Sequence, residues 1–381
     1  MSSYVIPPVN LIGKGCVKSI GREAAKFRAR RALVVASSGA VGEAQAALVA
    51  SSLKDSGVET VPFCRVMPNP TVAVVDEGLA LYRSSGCDLL VAVGGGSALD
   101  AAKGIGLLAS NGGRIADYEG EDKAGKALPP FIAIATTAGT GSEVTQFAVI
   151  SDEEHNKLTL VDRYLAPDVS VNDPEMMASM PPALTAATGM DALTHAVEAY
   201  VSRNAGPVTD AQAWKAIQLV AKNLPLAVRD GTDMNARENM CCASFLAGTA
   251  FNNAGLGLVH AMSHPLGGHC NLPHGLCNAL LLPVVCRFNT TLETLGRFSD
   301  IAVALGVGRS WRAERDNAEA GLRALFCLNR SLGLPKGLRE LGVRKEDFPL
   351  LAERTMEEAI GRPNPRKYDK RDVLRLYEEA Y

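Results

Sequence analysis

The chain has 381 residues, of which 47% are hydrophobic and 21% are charged, so it is large enough for two folded globular domains. Its net charge of -2, its two Trp and the absence of a long apolar run exclude nucleic-acid and membrane partners at this stage. No secretory signal opens the chain and its nine cysteines form no Cys-x-x-Cys pair, so we expect a cytoplasmic protein with reduced thiols.

In the first half of the chain, short β-type runs alternate with helical segments. The predicted strands lie at 31–36, 60–63, 88–93 and 130–135. The predicted helices lie at 42–53, 72–84 and 98–108. Residues 157–161 remain open as a further strand. Such alternation is typical of a parallel sheet covered by helices on both faces.

Beyond residue 182 the pattern changes to long helical stretches. They lie at 184–201, 207–223, 236–252, 290–305, 313–332 and 369–381. The sequence therefore predicts an α/β domain over residues 1–182 and an all-helical domain over residues 183–381.

A pattern typical of a metal site occupies the helical half. Asp191 and His195 are four residues apart, which places both side chains on one face of a helix, and His260 and His274 follow in a histidine-rich stretch. Three imidazoles and a carboxylate suit Fe(II) or Zn(II) rather than Mg²⁺ or Ca²⁺. A single buried histidine is more often a hydrogen-bonded core residue, but the joint pattern favours a metal.

Two loops at predicted strand ends form a second pattern. Residues 94–97 are glycine-rich and open a helix, and residues 136–142 carry several hydroxyl side chains. Glycines allow a phosphate to approach the backbone, and the N–H groups at a helix start attract an anion. The alternative is a pair of ordinary tight turns and helix caps. A complete G-x-G-x-x-G motif is absent from the sequence.

Segments 94–100, 136–143, 187–200 and 255–275 together resemble the iron-containing (group III) alcohol dehydrogenase family. The resemblance covers essentially the whole chain and is closest in look to the bacterial short-chain alcohol or methanol dehydrogenases. It implies an N-terminal Rossmann-like domain and a C-terminal helical domain, the dehydroquinate synthase-like architecture, with the active site in the cleft between them. It also implies a homodimer or larger homo-oligomer.

The activity that this resemblance implies is reversible hydride transfer between a small alcohol or aldehyde and NAD(P), with a metal polarising the substrate oxygen. Iron is favoured and zinc remains open. By motif match the metal ligands are Asp191, His195, His260 and His274. By the same match the cofactor contacts are Asn69, Pro70, Gly94, Gly95, Gly96, Ser97, Asp100, Thr136, Thr137, Thr140, Ser142 and Lys157.

Two further residues bear on cofactor choice and proton transfer. Ser37 follows the first strand, where many NAD-specific relatives carry an Asp that would repel a 2′-phosphate, so we expect NAD to be favoured and NADP to be possible. His264 lies one helical turn after His260 and is a candidate proton relay, or alternatively a hydrogen-bonded wall of the site.

The substrate is the least determined part of the prediction. His269 and Cys270 replace aromatics of many relatives, and Ile360 stands where some carry a Cys. Phe147 and Phe251 are candidate pocket walls or, equally, core aromatics.

Three alternative functions are also open. They are zinc-dependent polyol oxidation of the glycerol dehydrogenase type, a dehydroquinate synthase-type lyase, and a non-catalytic metal-binding protein. A lyase acting on a phosphorylated substrate needs clustered Arg and Lys, and none stands beside a predicted ligand.

Overall fold

The computed structural model describes residues 3–154 and 156–381 and divides into two compact units, Met1–Ser179 and Met180–Tyr381. The strands, all in the first unit, are β1 Val9–Ile12, β2 Arg31–Ser37, β3 Glu59–Val66, β4 Leu89–Gly94, β5 Gly120–Glu121, β6 Phe131–Ala135, β7 Phe147–Ser151, β8 Lys157–Val161 and β9 Val169–Asn172. The helices of this unit are α1 Ile20–Lys26, α2 Ala40–Lys54, α3 Val72–Ser84 and α4 Gly96–Asn111.

Six strands of the first unit form one fully parallel sheet in the order β1-β9-β6-β4-β2-β3. Along β2 the side chains alternate between the two faces: Leu33 and Val35 join one apolar cluster, and Val34 joins the other. The chain runs from β2 to β3 on one side and then returns to β4 on the other side of β2. The carboxyl ends of β2 and β4 therefore meet where the strand order reverses, which is the usual ligand position in such sheets.

The segment 157–161, left open by the sequence, is a strand. It pairs antiparallel with β7 and parallel with β5 in a separate three-stranded sheet, so it does not extend the main sheet. Strands β1 and β9 were missed by the sequence prediction, because each is only four residues long, which is too short for its pattern to indicate a strand by itself.

The described part of the second unit is helical. Its helices are α5 Pro182–Val201, α6 Pro207–Arg229, α7 Met234–Ala254, α8 Leu258–His269, α9 His274–Asn289, α10 Leu295–Ala304, α11 Glu314–Ser331, α12 Phe348–Glu357 and α13 Lys370–Glu379. The predicted fold class, a parallel-sheet unit followed by a helical one, is thus confirmed.

One helix begins later than predicted. The pattern indicated a start at residue 290, but α10 begins at Leu295. The Thr294 hydroxyl accepts a hydrogen bond from the Thr291 N–H at 2.8 Å and donates to the Asn289 carbonyl at 2.6 Å. These side-chain hydrogen bonds form a turn that competes with the helix.

Among the described residues, no helix combines the length and apolar character needed to span a bilayer.

Candidate active site

Helix α5 presents three acidic or imidazole side chains on one face. Asp191, His195 and Glu198 follow each other at intervals of four and three residues, and each is at most 4% exposed. Their surroundings are apolar, since most other residues of α5 are buried hydrophobics. Buried ionisable groups need partners that offset the loss of water, and the neighbouring helices supply them.

Helices α8 and α9 bring two further imidazoles to Asp191. The Asp191 Oδ1 atom lies 4.0 Å from His195 Nε2, 3.9 Å from His260 Nε2 and 3.6 Å from His274 Nε2. Four atoms bound tetrahedrally at zinc- or iron-like distances are about 3.4 Å apart. The ligand atoms of Asp191, His195 and His260 all lie within 4.8 Å of one another, and His274 joins them through its contact with Asp191. The His274 side chain is 30% exposed whereas the other three residues are buried, so His274 marks the more open side of the cluster.

Asn278, which the sequence did not single out, lies among the four predicted ligands. Its Nδ2 donates to Asp191 Oδ1 at 2.7 Å and lies 3.1 Å from both His260 Nε2 and His274 Nε2. Its Oδ1 is buried without a hydrogen-bond partner among the described residues. Three acceptor atoms converging on one point, beside an unsatisfied amide oxygen, fit a divalent cation well.

Ring stacking fixes the orientation of His195. Its imidazole lies between the ring of Phe251, with centroids 4.3 Å apart, and the ring of His260, with centroids 4.6 Å apart. Phe251, one of the two candidate pocket walls, therefore packs directly on a predicted metal ligand. Stacked rings exclude water and restrict the rotation of both imidazoles.

Glu198 contacts both His260 and the start of α8. Its Oε2 lies 2.5 Å from His260 Nδ1, and its Oε1 accepts the Val259 N–H at 2.7 Å. Burial raises the pKa of Glu198 to about 7, and hydrogen bonds from backbone N–H groups, that of Val259 foremost, act in the opposite direction. Asn364 caps the same helix by accepting the Leu258 N–H at 3.1 Å.

His264 has a carboxylate partner of its own. It is 5% exposed, and its Nδ1 lies 3.0 Å from Oε2 of Glu358. Its ring centroid is 5.7 Å from that of His274, so it lies beside the predicted ligands as the helical spacing suggested. By contrast, His269 pairs with Asp347 at 3.6 Å.

In the first unit, the two predicted cofactor loops lie against each other. We call residues 94–97 the glycine loop and residues 136–142 the threonine loop. The Thr136 N–H donates to the Gly94 carbonyl at 2.9 Å. A Cβ on Gly95 would lie 3.3 Å from Thr137 Cγ2, and one on Gly96 would lie 3.0 Å from Thr140 Cγ2. At either glycine, a side chain would require the neighbouring threonine to shift by a few tenths of an ångström.

Helix α4 begins at Gly96, within the glycine loop. N–H groups at a helix start attract anions such as a phosphate, and in this turn those of Ala98 and Leu99 also donate to the Gly95 carbonyl, at 3.1 Å and 3.3 Å. Ser37 ends the neighbouring strand β2, and a Cβ on Gly94 would lie 3.1 Å from Ser37 Oγ. Ser37 thus lies beside the glycine loop, as the sequence predicted.

Two other predicted cofactor residues follow the end of β3. Asn69 is exposed and adopts a left-handed backbone conformation with φ of 57°. Pro70 is buried, and its carbonyl accepts the Ser151 N–H at 2.8 Å. The parallel strands place these residues at the same edge of the sheet as the glycine loop.

Asp100 and Ser142 bind each other. The Ser142 hydroxyl donates to Asp100 Oδ1 at 2.7 Å, and the Val149 N–H donates to Asp100 Oδ2 at 3.1 Å. Burial raises the pKa of Asp100, while the charges of Lys103 and Lys157 act to lower it. Both side chains therefore join α4 to the threonine loop, a structural contribution that the motif match did not reveal.

Two buried residues of opposite charge, Lys103 and Glu143, lie near the threonine loop. Lys103 is fully buried and donates to the carbonyls of Thr145 and Phe147 at 2.9 Å and 2.7 Å. Burial lowers the pKa of Lys103 to about 8 and raises that of Glu143 to about 7. This pair was also missed from the sequence, where a lone Lys on a helix reads as a surface residue.

Comparison with known proteins gives the family of this chain. Residues 7–174 match the model described as iron-containing alcohol dehydrogenase, and residues 185–381 match that of the C-terminal part of the Fe-containing alcohol dehydrogenase family. The chain belongs to the iron-containing alcohol dehydrogenase family.

Two relatives and one solved structure show how far the similarity extends. The NAD-dependent methanol dehydrogenase of Bacillus methanolicus is 43% identical over 381 residues, which is 100% of both chains. The 1,3-propanediol dehydrogenase of Klebsiella pneumoniae is 43% identical over 384 residues, covering 100% of this chain and 99% of the relative. The crystal structure of a 1,3-propanediol oxidoreductase superposes with a TM-score of 0.97, at 43% identity and full coverage of both chains.

Proposed function

We propose that this protein interconverts short-chain alcohols and aldehydes with NAD, using a metal ion held by Asp191, His195, His260 and His274. As a family member it is an alcohol dehydrogenase, and the family match sets aside the lyase alternative. The observation that carries the site assignment is the convergence of three imidazole nitrogens on Asp191 Oδ1 at 3.6–4.0 Å. The family description favours iron over zinc.

A bound divalent cation supplies a Lewis acid for the substrate oxygen, and a bound nicotinamide supplies the hydride acceptor. The chain's own residues do the remaining work. Asp191 contributes the negative charge of the ligand set, and the stacked rings of Phe251 and His195 exclude water from one side. His264, held at Nδ1 by Glu358, is placed to take the hydroxyl proton at Nε2.

The cofactor is proposed to bind along the sheet edge of the first unit. The pyrophosphate would lie on the glycine loop and the start of α4, with hydroxyl contacts from the threonine loop. Ser37 carries no charge that would repel a 2′-phosphate, so NADP is also used, and no Arg or Lys follows it closely in sequence to bind that phosphate, so NAD is favoured. The test compares kcat/KM for the two cofactors in the native protein and in Ser37→Asp. We expect the variant to lose NADP turnover by about tenfold or more while keeping NAD turnover. A native preference above about a thousandfold for either cofactor would contradict this proposal.

Relatives suggest the size of the substrate. Their names refer to methanol, 1,3-propanediol and lactaldehyde, and we propose substrates of this size for the present chain. The experiment is an alcohol and aldehyde panel, including glycerol, with anaerobically purified protein loaded with Fe(II) or Zn(II) and followed by NADH absorbance. Turnover of glycerol only with Zn(II) would favour the polyol alternative. Metal-loaded protein that turned over none of these compounds would refute the proposal.

We further propose a homodimer or larger homo-oligomer in the cytoplasm. Among the described residues no cysteine forms a disulfide bond, which agrees with a reducing compartment. Analytical ultracentrifugation of the metal-loaded protein measures the oligomeric state directly. A monomer at micromolar concentration would contradict the proposed homo-oligomer.

A further inference from the structure

The contact between Glu198 and His260 involves a residue that the sequence analysis did not single out as a site residue. The two side chains are 62 positions apart in the chain and are both at most 3% exposed. Glu198 lies seven residues after Asp191 on the same face of α5, and the Gly257 position leaves space for it. A Cβ on Gly257 would lie 2.9 Å from both Glu198 Oε1 and Asn364 Oδ1.

We propose that Glu198 is a positioning residue that holds His260 in the tautomer that presents an Nε2 lone pair to the metal. The inference rests on the proposed function, since it requires His260 to be a ligand. His260 Nε2 is the ring atom near Asp191 Oδ1, and Nδ1 faces Glu198 at 2.5 Å. A metal-binding Nε2 must be unprotonated, so Nδ1 must carry the hydrogen and donate it.

The second partner of Glu198 explains why a carboxylate is needed. Its other oxygen accepts the N–H of Val259 at 2.7 Å, and a backbone N–H can only donate. Glu198 therefore has a donor at each of its two carboxylate oxygens and needs an acceptor atom at both positions. A glutamine of the same size has one acceptor and one NH₂ group. It must either leave the Val259 N–H facing another donor or force His260 to accept at Nδ1 and carry its hydrogen on Nε2.

Helix α8 provides a matched control. His264 also contacts a carboxylate through Nδ1, that of Glu358 at 3.0 Å, but His264 is not among the four predicted ligands. The two pairs are one helical turn apart and have the same chemistry. Only the His260 pair should influence metal binding if Glu198 acts through the tautomer of a ligand.

The experiment measures Zn(II) affinity by competition with a chromophoric chelator, using the metal-stripped full-length protein. The variants are Glu198→Gln, Glu198→Asp, Glu358→Gln and His260→Ala. We expect Glu198→Gln to weaken Zn(II) binding about 10- to 100-fold and Glu198→Asp, which keeps two acceptors, to restore much of it. Glu358→Gln should stay within about twofold of the native affinity.

A second readout separates positioning from a purely structural effect. Imidazole ¹⁵N chemical shifts of the metal-free protein report which ring nitrogen of His260 carries the hydrogen. We expect the Nδ1–H form in the native protein and in Glu198→Asp, and the Nε2–H form to be populated in Glu198→Gln. If Glu198→Gln fails to fold, the inference depends on Glu198→Asp, which should keep the Nδ1–H form and bind Zn(II) within about tenfold of native.

The outcomes distinguish this inference from the proposed function. Native Zn(II) affinity in His260→Ala would refute the ligand assignment itself. Loss of affinity in His260→Ala with native affinity and an unchanged tautomer in Glu198→Gln would refute only the role of Glu198. Equal weakening by Glu198→Gln and Glu358→Gln would also refute it, because the effect would then not depend on the ligand.

Discussion

The two candidate sites of this protein are built from different parts of the chain. The glycine and threonine loops offer mainly backbone, and Gly95 and Gly96 matter because they lack a Cβ. The metal cluster offers side-chain atoms, namely Asp191 Oδ1 and three imidazole nitrogens. Ligand binding at the two loops is therefore expected to suffer when a substitution adds side-chain atoms. Binding at the metal cluster is expected to suffer when a substitution removes a side-chain atom that faces the metal.

This difference reflects the ligands that the two sites are suited to. A phosphate is large and diffuse in charge, and several N–H groups at a helix start can hold it without a particular side chain. A transition metal needs a few donors at fixed short distances, so each donor counts and its neighbours must hold it in orientation. Substitutions in each region should leave binding at the other intact, and the predictions test this separation.

The largest effect is expected for His260→Ala. Removing one of four ligand atoms leaves an incomplete set, so we expect metal content to fall and turnover to drop on the order of 1,000-fold. NAD binding, which uses the first unit, should change less than about threefold. Metal analysis, steady-state kinetics and NADH fluorescence titration measure the three quantities. Parallel loss of NADH binding would break the separation between the two sites.

A smaller effect is expected for Gly96→Val. The added Cβ would lie 3.0 Å from Thr140 Cγ2, so the two loops must move apart or the new side chain must cover the start of α4. We expect NADH affinity to fall about 10- to 100-fold with unchanged Zn(II) affinity. Gly206→Ala is the control, because a Cβ there meets nothing within 4 Å. Native NADH affinity in Gly96→Val would argue against a phosphate on the glycine loop.

Asn278→Ala should reduce metal affinity by about tenfold, less than loss of a ligand. The substitution removes the 2.7 Å hydrogen bond to Asp191 Oδ1 and so frees that carboxylate to rotate. Asn223→Ala is matched in burial and chemistry, since Asn223 is 4% exposed and donates to the Leu219 carbonyl of its own helix. Chelator competition measures both. Similar Zn(II) affinities in the two variants would show that Asn278 does not support the ligand set.

The last prediction concerns stability rather than binding. Burial raises the pKa of Glu143 from its ordinary 4.5 to about 7, so between these pH values the folded protein holds more protons than the unfolded chain. Stability must then fall as pH rises through this window. Glu143→Gln should flatten that slope, changing the free energy of unfolding at pH 7 relative to pH 5 by about 1–3 kcal/mol.

Urea denaturation of the metal-free protein from pH 5 to 8 measures this change. Glu77→Gln on the exposed surface of α3 is the control, since the Glu77 side chain is 55% exposed. A pH slope in Glu143→Gln equal to that of the native protein would show that Glu143 is not a buried, late-titrating carboxyl. The metal-free form is used so that protonation of the ligand histidines does not couple to metal release.

Local patterns were sufficient for much of the architecture. Residues 89–93 and 131–135 are apolar throughout, and β4 and β6 lie there, because such a composition is typical of a strand buried on both faces. The start of α10 was misplaced because Thr294 forms hydrogen bonds that no periodicity reveals. Likewise, β8 was suggested by its residues, but its membership of the small sheet depends on its pairing with β7.

The residue types at the metal site and the spacing of Asp191 and His195 follow from the sequence by itself, because an i, i+4 pair on a helix is a local property. Only the tertiary structure could show that Glu198 reaches His260 or that Asn278, 87 positions from Asp191, donates to it. Such contacts depend on how α5, α8 and α9 pack, and packing is set by many weak interactions that no single spacing encodes. The sequence thus sufficed to predict the candidate ligands, whereas the side chains that contact them could be identified only in the tertiary structure.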